Sequence, residues 1–259
     1  MIDTDNTVET RKGVILEALA EEGKVRVREL SQRFGLSEVT IRAYLEDLEG
    51  EGLLRRVHGG AVATPQNYYN LGLQQRMKTF ASEKSAIARR VAEEITDNDT
   101  VLMNSGTTVL YVLRAMKAKK NIRIVTNSLT VASEASCFSA FKVIMLGGAV
   151  DSEYRFTHGL ETLHALSSYH ADKLVMSVDG AAVKTGFTTY YEYEAELSAE
   201  MADRADTVIV AADSSKIGRV AFARICPVEH ADMLVTDKGA PSADLRAIAS
   251  RGVEIACAE

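Results

Sequence analysis

The sequence predicts an α/β chain in two parts, an N-terminal winged helix-turn-helix and a larger C-terminal α/β domain with a largely parallel sheet. Three observations predict it. Three short helical periods and a Gly-Gly hairpin crowd into the first 63 residues, and from Ser82 onward apolar strand-like runs alternate with helical segments. Between them lies a stretch with Pro65 and a polar aromatic run that keeps neither period. The expected limits are 1–63 for the first domain, 64–81 for a linker and 82–259 for the second domain.

In the first domain, Ile15, Leu16 and Leu19 line one face of a helix running from residue 8 to about residue 21, which Gly23 stops. Val27, Leu30 and Phe34 form a second, shorter helix ending at Gly35, where a tight turn needs left-handed backbone. Ser37 caps a third helix, in which Ile41, Leu45 and Leu48 repeat at helical spacing before Gly50 and Gly52. The span from Phe34 to Thr40 is therefore helix, turn, helix, the arrangement that offers its second helix to a major groove. Two β-prone runs around Gly59-Gly60 then predict a hairpin, the wing.

If Ile41, Leu45 and Leu48 face inward, a helical wheel turns Val39 and Ala43 outward with Thr40 and Arg42 beside them. With Ser37, these are the expected groove-facing residues. Lys24, Arg26, Arg28, Arg33, Arg42, Arg55 and Arg56 fall where phosphates would be met, and Arg26, Arg28, Arg55, Arg56 and His58 are counted with the DNA-binding residues. The charge is awkward for this purpose. The chain carries a formal net charge of -6, and residues 1–63 hold nine basic side chains against twelve acidic ones. Phosphate neutralisation supplies the sequence-independent affinity for DNA, so binding must rest on where the cations are placed. A dimer or tetramer is expected, because tethering two weak reading heads raises their effective concentration. Three-helix bundles also serve as protein-docking modules, and periodicity alone leaves that alternative open.

Composition narrows the rest. With 46% hydrophobic and 25% charged residues, no long uncharged apolar run and an acidic N-terminus, a cytoplasmic protein without a membrane segment is expected. Cys137, Cys226 and Cys257 are scattered and odd in number, which suggests reduced packing residues. The five histidines lack helical metal-site spacing, so neither a metal nor a cofactor is expected.

In the second domain, a helix carrying Ile87, Ala88, Val91 and Ile95 precedes a strand at Thr100–Met103, and another helix follows Thr108. Further apolar runs at 122–126, 142–146, 174–178, 208–211 and 233–236 have the look of strands buried on both faces. Ligands of such sheets sit at the strands' C-terminal ends. The candidate effector-binding residues are therefore Asn104, Ser105, Gly106, Thr107 and Thr108, then Thr126 and Asn127, Gly147 and Gly148, Asp179 and Gly180, and Lys216. Ser-Gly-Thr-Thr opening a helix aims amides and hydroxyls at one point and suits a phosphate, to which Lys216 adds a cation. One such turn alone would read as a capped helix start; five polar loops together favour a pocket. Glu192, Glu194 and Glu196 read as solvated charges favourable to a helix N-terminus. The tyrosines at 190, 191 and 193 suit either the pocket or a subunit contact.

Several of these strings carry a family resemblance. Val25-Arg26-Val27-Arg28-Glu29-Leu30, Thr40-Ile41-Arg42, Leu48-Glu49, Gly52-Leu53-Leu54 and above all Arg56-Val57-His58-Gly59-Gly60-Ala61 closely resemble the DNA-binding domain of DeoR-type repressors. Ser105-Gly106-Thr107-Thr108, Val125-Thr126-Asn127-Ser128-Leu129, Leu146-Gly147-Gly148, Asp179-Gly180 and Ala212-Asp213-Ser214-Ser215-Lys216 fall in the order of that family's sensor domain. The resemblance implies an operator-binding regulator, usually a repressor of carbohydrate catabolism. It also implies a sensor domain similar in fold to ribose-5-phosphate isomerase and an effector that is a phosphorylated sugar or related intermediate. Three positions depart from the pattern. The family runs Thr-Ile-Arg-Arg-Asp-Leu where this chain has Thr40-Ile41-Arg42-Ala43-Tyr44-Leu45, and Asn104 replaces an acid often found before Ser-Gly-Thr-Thr.

The competing function is sugar-phosphate isomerisation, which needs carboxylates poised for proton transfer. Where such enzymes carry Asp-Gly-Ala-Asp, this chain reads Asp179-Gly180-Ala181-Ala182. One acid is missing, so no catalytic residue is assigned and a non-enzyme is expected.

Overall fold

The computed structural model describes residues 8–22, 24–63, 73–152 and 154–259. It divides into two compact units, Met1–Ala81 and Ser82–Glu259.

The N-terminal unit runs α1 (Val8–Glu22), β1 (Lys24–Arg26), α2 (Val27–Phe34), α3 (Glu38–Gly50), β2 (Leu54–Val57), β3 (Gly60–Ala63) and α4 (Leu73–Lys78). Ile15 and Leu19 of α1 meet Leu30 of α2 and Ile41, Leu45 and Leu48 of α3 in one buried cluster, which Val25, Leu54 and Ala61 of the small sheet close. Tyr44 joins that core, which the wheel above does not foresee. Gly35, at φ 64°, ends α2, and the Ser37 hydroxyl accepts the Thr40 N–H at 3.2 Å to start α3. The wing is larger than a hairpin. β1 pairs antiparallel with β3, from Lys24↔Val62 to Arg26↔Gly60, giving the sheet order β1-β3-β2. Gly60 allows this contact, since a Cβ there would lie 1.9 Å from the Val25 carbonyl oxygen. Of the expected linker, residues 64–72 lie outside the described residues, and the remainder contains α4.

The C-terminal unit opens on α5 (Ala81–Glu94) and continues β4 (Thr100–Met103), α6 (Thr107–Ala115), β5 (Ile122–Thr126), α7 (Leu129–Ala135) and β6 (Phe141–Met145). After the hairpin β7 (Ala149–Asp151) and β8 (Phe156–His158) come α8 (Leu160–Leu166), β9 (Ala171–Ser177), β10 (Gly180–Ala182), β11 (Gly186–Thr189), α9 (Glu192–Ala202), β12 (Ala205–Ala211) and β13 (Ala223–Cys226). β14 (Met233–Asp237), α10 (Ser242–Ala249) and β15 (Glu254–Ala258) complete it. Seven strands form one parallel sheet in the order β15-β14-β12-β9-β4-β5-β6. Leu102, Leu174, Met176, Val210 and Leu234 are fully buried, as expected of strands covered on both faces. Because all seven strands run the same way, the loops after β4, β5, β6, β9 and β12 emerge on one edge. A small antiparallel sheet, β10-β11-β13, stands beside it.

The cysteine expectation holds for one residue of three. Cys226 is buried, and burial pushes its thiol up to about 12, whereas Cys137 and Cys257 are exposed; all three are free. Cys257 lies exposed on the edge strand β15 between the buried Ala256 and Ala258. Among the described residues, no helix is long and apolar enough to cross a membrane.

Candidate nucleic-acid interface and effector site

The exposed face of α3 holds Val39, Arg42 and Ala43 of the expected groove-facing set; Val39, 73% exposed, is an apolar side chain left in water on a helix whose other face is core. Ser37 and Thr40 have local work as well, because their hydroxyls lie 2.9 Å apart at the cap. Between α3 and the wing runs an open groove of about 540 Å³, bordered by Arg42 and Leu45 on one side and Arg56, His58 and Gly59 on the other.

Three of the expected cations are held by carboxylates. Arg42 pairs with Glu38 at 2.6 Å, and Arg26 lies 3.4 Å from Glu29. Arg56 is bound twice by Glu49, through its backbone N–H at 2.7 Å and its Nε at 2.9 Å, with Glu46 at 3.5 Å. The Arg56 backbone N–H, then its side chain, hold the Glu49 carboxyl below its usual range. These pairs are exposed, and such pairs contribute about 0–1 kcal/mol each, so a phosphate or a base edge can displace the carboxylate. Among the described residues, Arg28, Arg55 and His58 have no such partner.

In the C-terminal unit, the loop after β4 is drawn tightly against β9. Asn104 is buried; its Oδ1 accepts the Ser177 N–H at 2.9 Å, and its Nδ2 donates to the Ser177 carbonyl at 3.0 Å and to Ser198 Oγ at 3.2 Å. Both amide hydrogens are thus used inside the protein. This explains asparagine at a position where an ionised acid could not donate to the carbonyl. Gly106 sits at φ 148°, and a Cβ there would lie 2.0 Å from Ser177 Oγ. As the N-cap of α6, Gly106 brings no side-chain acceptor, so the first amides of the helix keep their donor capacity.

Around that helix start, five segments converge. The Ser105 hydroxyl donates to Glu194 in the first turn of α9. Thr189, at the end of β11, places its hydroxyl 3.0 Å from the other Glu194 oxygen and 2.9 Å from Asp179, which follows β9. Lys216 reaches from a single helical turn after β12 to within 3.8 Å of Asp179. That turn is fixed by Asp213, which accepts the Ser215 N–H at 3.0 Å and the Ser215 hydroxyl. Burial raises the Asp179 carboxyl from 3.8 to about 6; the Lys216 cation, the Thr189 hydroxyl and the Tyr190 N–H oppose this, and the neighbouring Asp213 charge adds to it.

The remaining expected residues divide. Thr126 and Asn127 lie on the same sheet edge, where Met103↔Thr126 pairing sets Asn127 beside Asn104. Thr126 Oγ1 accepts the Ser128 N–H at 3.0 Å. Asn127 Nδ2 donates to the Thr157 carbonyl at 3.2 Å, but its buried Oδ1 has no partner among the described residues. Gly147 and Gly148 are fastened to α8, through the Thr162 hydroxyl on the Gly147 carbonyl at 2.7 Å and a Gly148 whose Cβ would meet Thr162 and His158. Gly180 is where β10 touches Thr188 and the Arg219 carbonyl, and Thr107 and Thr108 lie buried in the first turn of α6.

Glu194 corrects the reading of residues 192–196: Glu192 and Glu196 are exposed, but Glu194 belongs to the cluster. The tyrosines supply the reason. Tyr191 packs on Tyr154 at 4.5 Å and Phe156 at 6.2 Å, and Tyr193 stacks on His158 at 4.6 Å. The first turn of α9 is thereby pinned against β8, which sets Glu194 across from Ser105. Among the described residues, no group of His, Cys, Asp and Glu has the arrangement of a metal site.

Residues 79–238 match the model of the DeoR C terminal sensor domain, and residues 11–67 match that of the DeoR-like helix-turn-helix domain. The chain is 30% identical to the HTH-type transcriptional repressor GlcR of Bacillus subtilis, over 97% of this chain and 96% of that protein. It is 29% identical to the glycerol-3-phosphate regulon repressor of Escherichia coli, over 95% and 97%, and 32% identical to the HTH-type transcriptional regulator GlpR of Haloferax volcanii, over 95% and 96%. Among solved structures it is similar to ribose 5-phosphate isomerase from Plasmodium falciparum, with a TM-score of 0.39, 15% identity, and coverage of 55% of this chain and 53% of that one.

Proposed function

The chain belongs to the DeoR family of transcriptional regulators, and from that premise we propose that its two units work as a reading head and a sensor. The winged module, residues 1–63, binds operator DNA through α3 and the wing. The sensor, residues 82–259, binds a phosphorylated sugar or related intermediate at the C-terminal edge of its sheet. The observation that carries this reading is the convergence of Ser105, Thr189, Asp179, Glu194 and Lys216 beside a helix start without a side-chain cap. Amides at that start and the Lys216 cation suit a phosphoryl group.

Control follows from linkage. An effector that binds one arrangement of the sensor better shifts the population toward it, and with it the spacing of paired reading heads relative to the half-sites. A dimer or tetramer supplies that pairing, and repression relieved by the effector is its direction. Proton transfer between carbons is not its chemistry, because Asp179 is followed by Gly180-Ala181-Ala182 and has no second acid in that motif.

A mobility-shift titration tests the reading, using the DNA upstream of the chain's own gene with and without a panel of sugar phosphates. Lys216→Ala and Thr107→Ala are expected to keep operator binding and lose the effector response. Turnover of a sugar phosphate with no preference for any duplex would overturn it.

A further inference from the structure

On the premise that the winged module reads duplex DNA, we infer that Val39 and Ala43 of α3 form an apolar contact that selects thymine in the operator through its C5-methyl group.

The exposed face of α3 supplies the reason. Ser37 caps the helix, so Val39 stands second in the first turn and Ala43 follows one turn later on the same side. Helix-turn-helix proteins present that N-terminal part of their second helix to base edges. Val39 is 73% exposed, and Ala43 is exposed beside it. The polar side chains around them are engaged locally. Glu38 holds Arg42 at 2.6 Å, and the Ser37 oxygen accepts the Thr40 N–H at 3.2 Å with the two hydroxyls 2.9 Å apart.

Valine and alanine carry neither a donor nor an acceptor, so they tell bases apart by the apolar surface they cover. The major groove displays donors, acceptors and one apolar group, the thymine methyl. A donor or acceptor edge set against these side chains would give up its water and gain no partner. Thymine gives up nothing there.

The charge of the module fits a polyanion at this face. Glu29, Glu38, Glu46, Asp47, Glu49 and Glu51 each lie within 3.6 Å of a lysine or arginine nitrogen. Arg28, Arg55 and His58 are exposed and have no carboxylate partner among the described residues. The charge left over between α2 and the wing is therefore positive, although the chain as a whole is acidic.

The test starts from a duplex recovered by binding-site selection with the intact chain. Each of its thymines is replaced in turn by uracil, which removes the methyl and keeps the pairing, and affinity is read by fluorescence anisotropy at one low salt concentration. At one or more positions uracil is expected to weaken binding about 4-fold, the share of one buried methyl. Val39→Ser and Ala43→Ser change exposed positions, and circular dichroism checks that both variants fold. At least one of them is expected to bind the thymine and uracil duplexes within about 1.5-fold of each other. No effect of uracil at any thymine, or a penalty that persists in both folded variants, overturns the inference while the reading head stands. Recovery of no duplex sequence over random DNA overturns the reading head, and the inference with it.

Discussion

Replacing Asp179 by asparagine removes a carboxyl that the fold holds at a cost, and the size of that cost can be worked out as a function of pH. The acid titrates at about 6 in the folded chain against 3.8 in its ordinary state, and its side chain is only 16% exposed. A shift of that size corresponds to about 3 kcal/mol once the group is ionised in both states. The sign follows from proton counts. Between the two values the folded state holds more protons than the unfolded one, so wild-type stability falls as pH rises from about 4 to about 6 and then levels. The cost is about 2 kcal/mol near pH 5 and about 3 kcal/mol near pH 7.5. The asparagine amide does not titrate. The stability of Asp179→Asn relative to wild type is therefore expected to rise by about 1 kcal/mol over that interval, whatever constant penalty the variant carries for losing the carboxylate near Lys216. Urea unfolding of both proteins at the two pH values, followed by circular dichroism, measures this double difference. A flat difference, or one that falls with pH, would refute the buried-carboxylate reasoning.

Two further expectations concern the two ends of the mechanism. Gly106→Ala forces a Cβ to within 2.0 Å of Ser177 Oγ at φ 148°, and is expected to destabilise the C-terminal unit by about 2 kcal/mol and to weaken its response to phosphorylated compounds; unfolding and calorimetry on one preparation check both. Ala43→Arg restores a side chain able to pair with guanine, worth about 1–3 kcal/mol of discrimination, and is expected to change the preferred operator bases; an unaltered binding-site selection profile would place residue 43 outside the groove.

The parts of this structure that could be read in advance are those whose burial leaves a pattern. β4, β5, β9, β12 and β14 show in the sequence because both their faces are largely covered and most of their residues are apolar, and the edge strand β6 shows by its apolar run Val143, Ile144 and Met145. β15 escapes because on this edge strand the charged Glu254 and the exposed Cys257 interrupt the apolar run. β1, β7, β8 and β10 are three residues long, too short for any period to register, and β11 ends in two threonines. The loops at the strand ends are legible as polar and glycine-rich, but their division of labour is not. Asn104 and Gly180 hold the backbone together, which residue type cannot disclose. Glu194 is hidden for a physical reason: an acid in the first turn of a helix already has a sufficient explanation in the helix dipole. Its partner Ser105 lies 89 residues earlier. The signal that points to it is the tyrosine run before it, since aromatic side chains packed on a hairpin fix the direction in which the following turn points.

The arginines that come ready-paired in the reading head have a consequence for how binding responds to ionic strength. Arg42 and Arg56 already sit against Glu38 and Glu49. An operator that takes these two guanidinium groups exchanges one anion for another and sets two carboxylates free beside a polyanion, where they gather cations. On the proposed reading, Arg28 and Arg55 by contrast release counterions from the duplex without exchanging a carboxylate. The logarithmic salt slope of affinity will therefore be shallower than the number of contacting arginines suggests, and a count of phosphate contacts taken from that slope will come out too low.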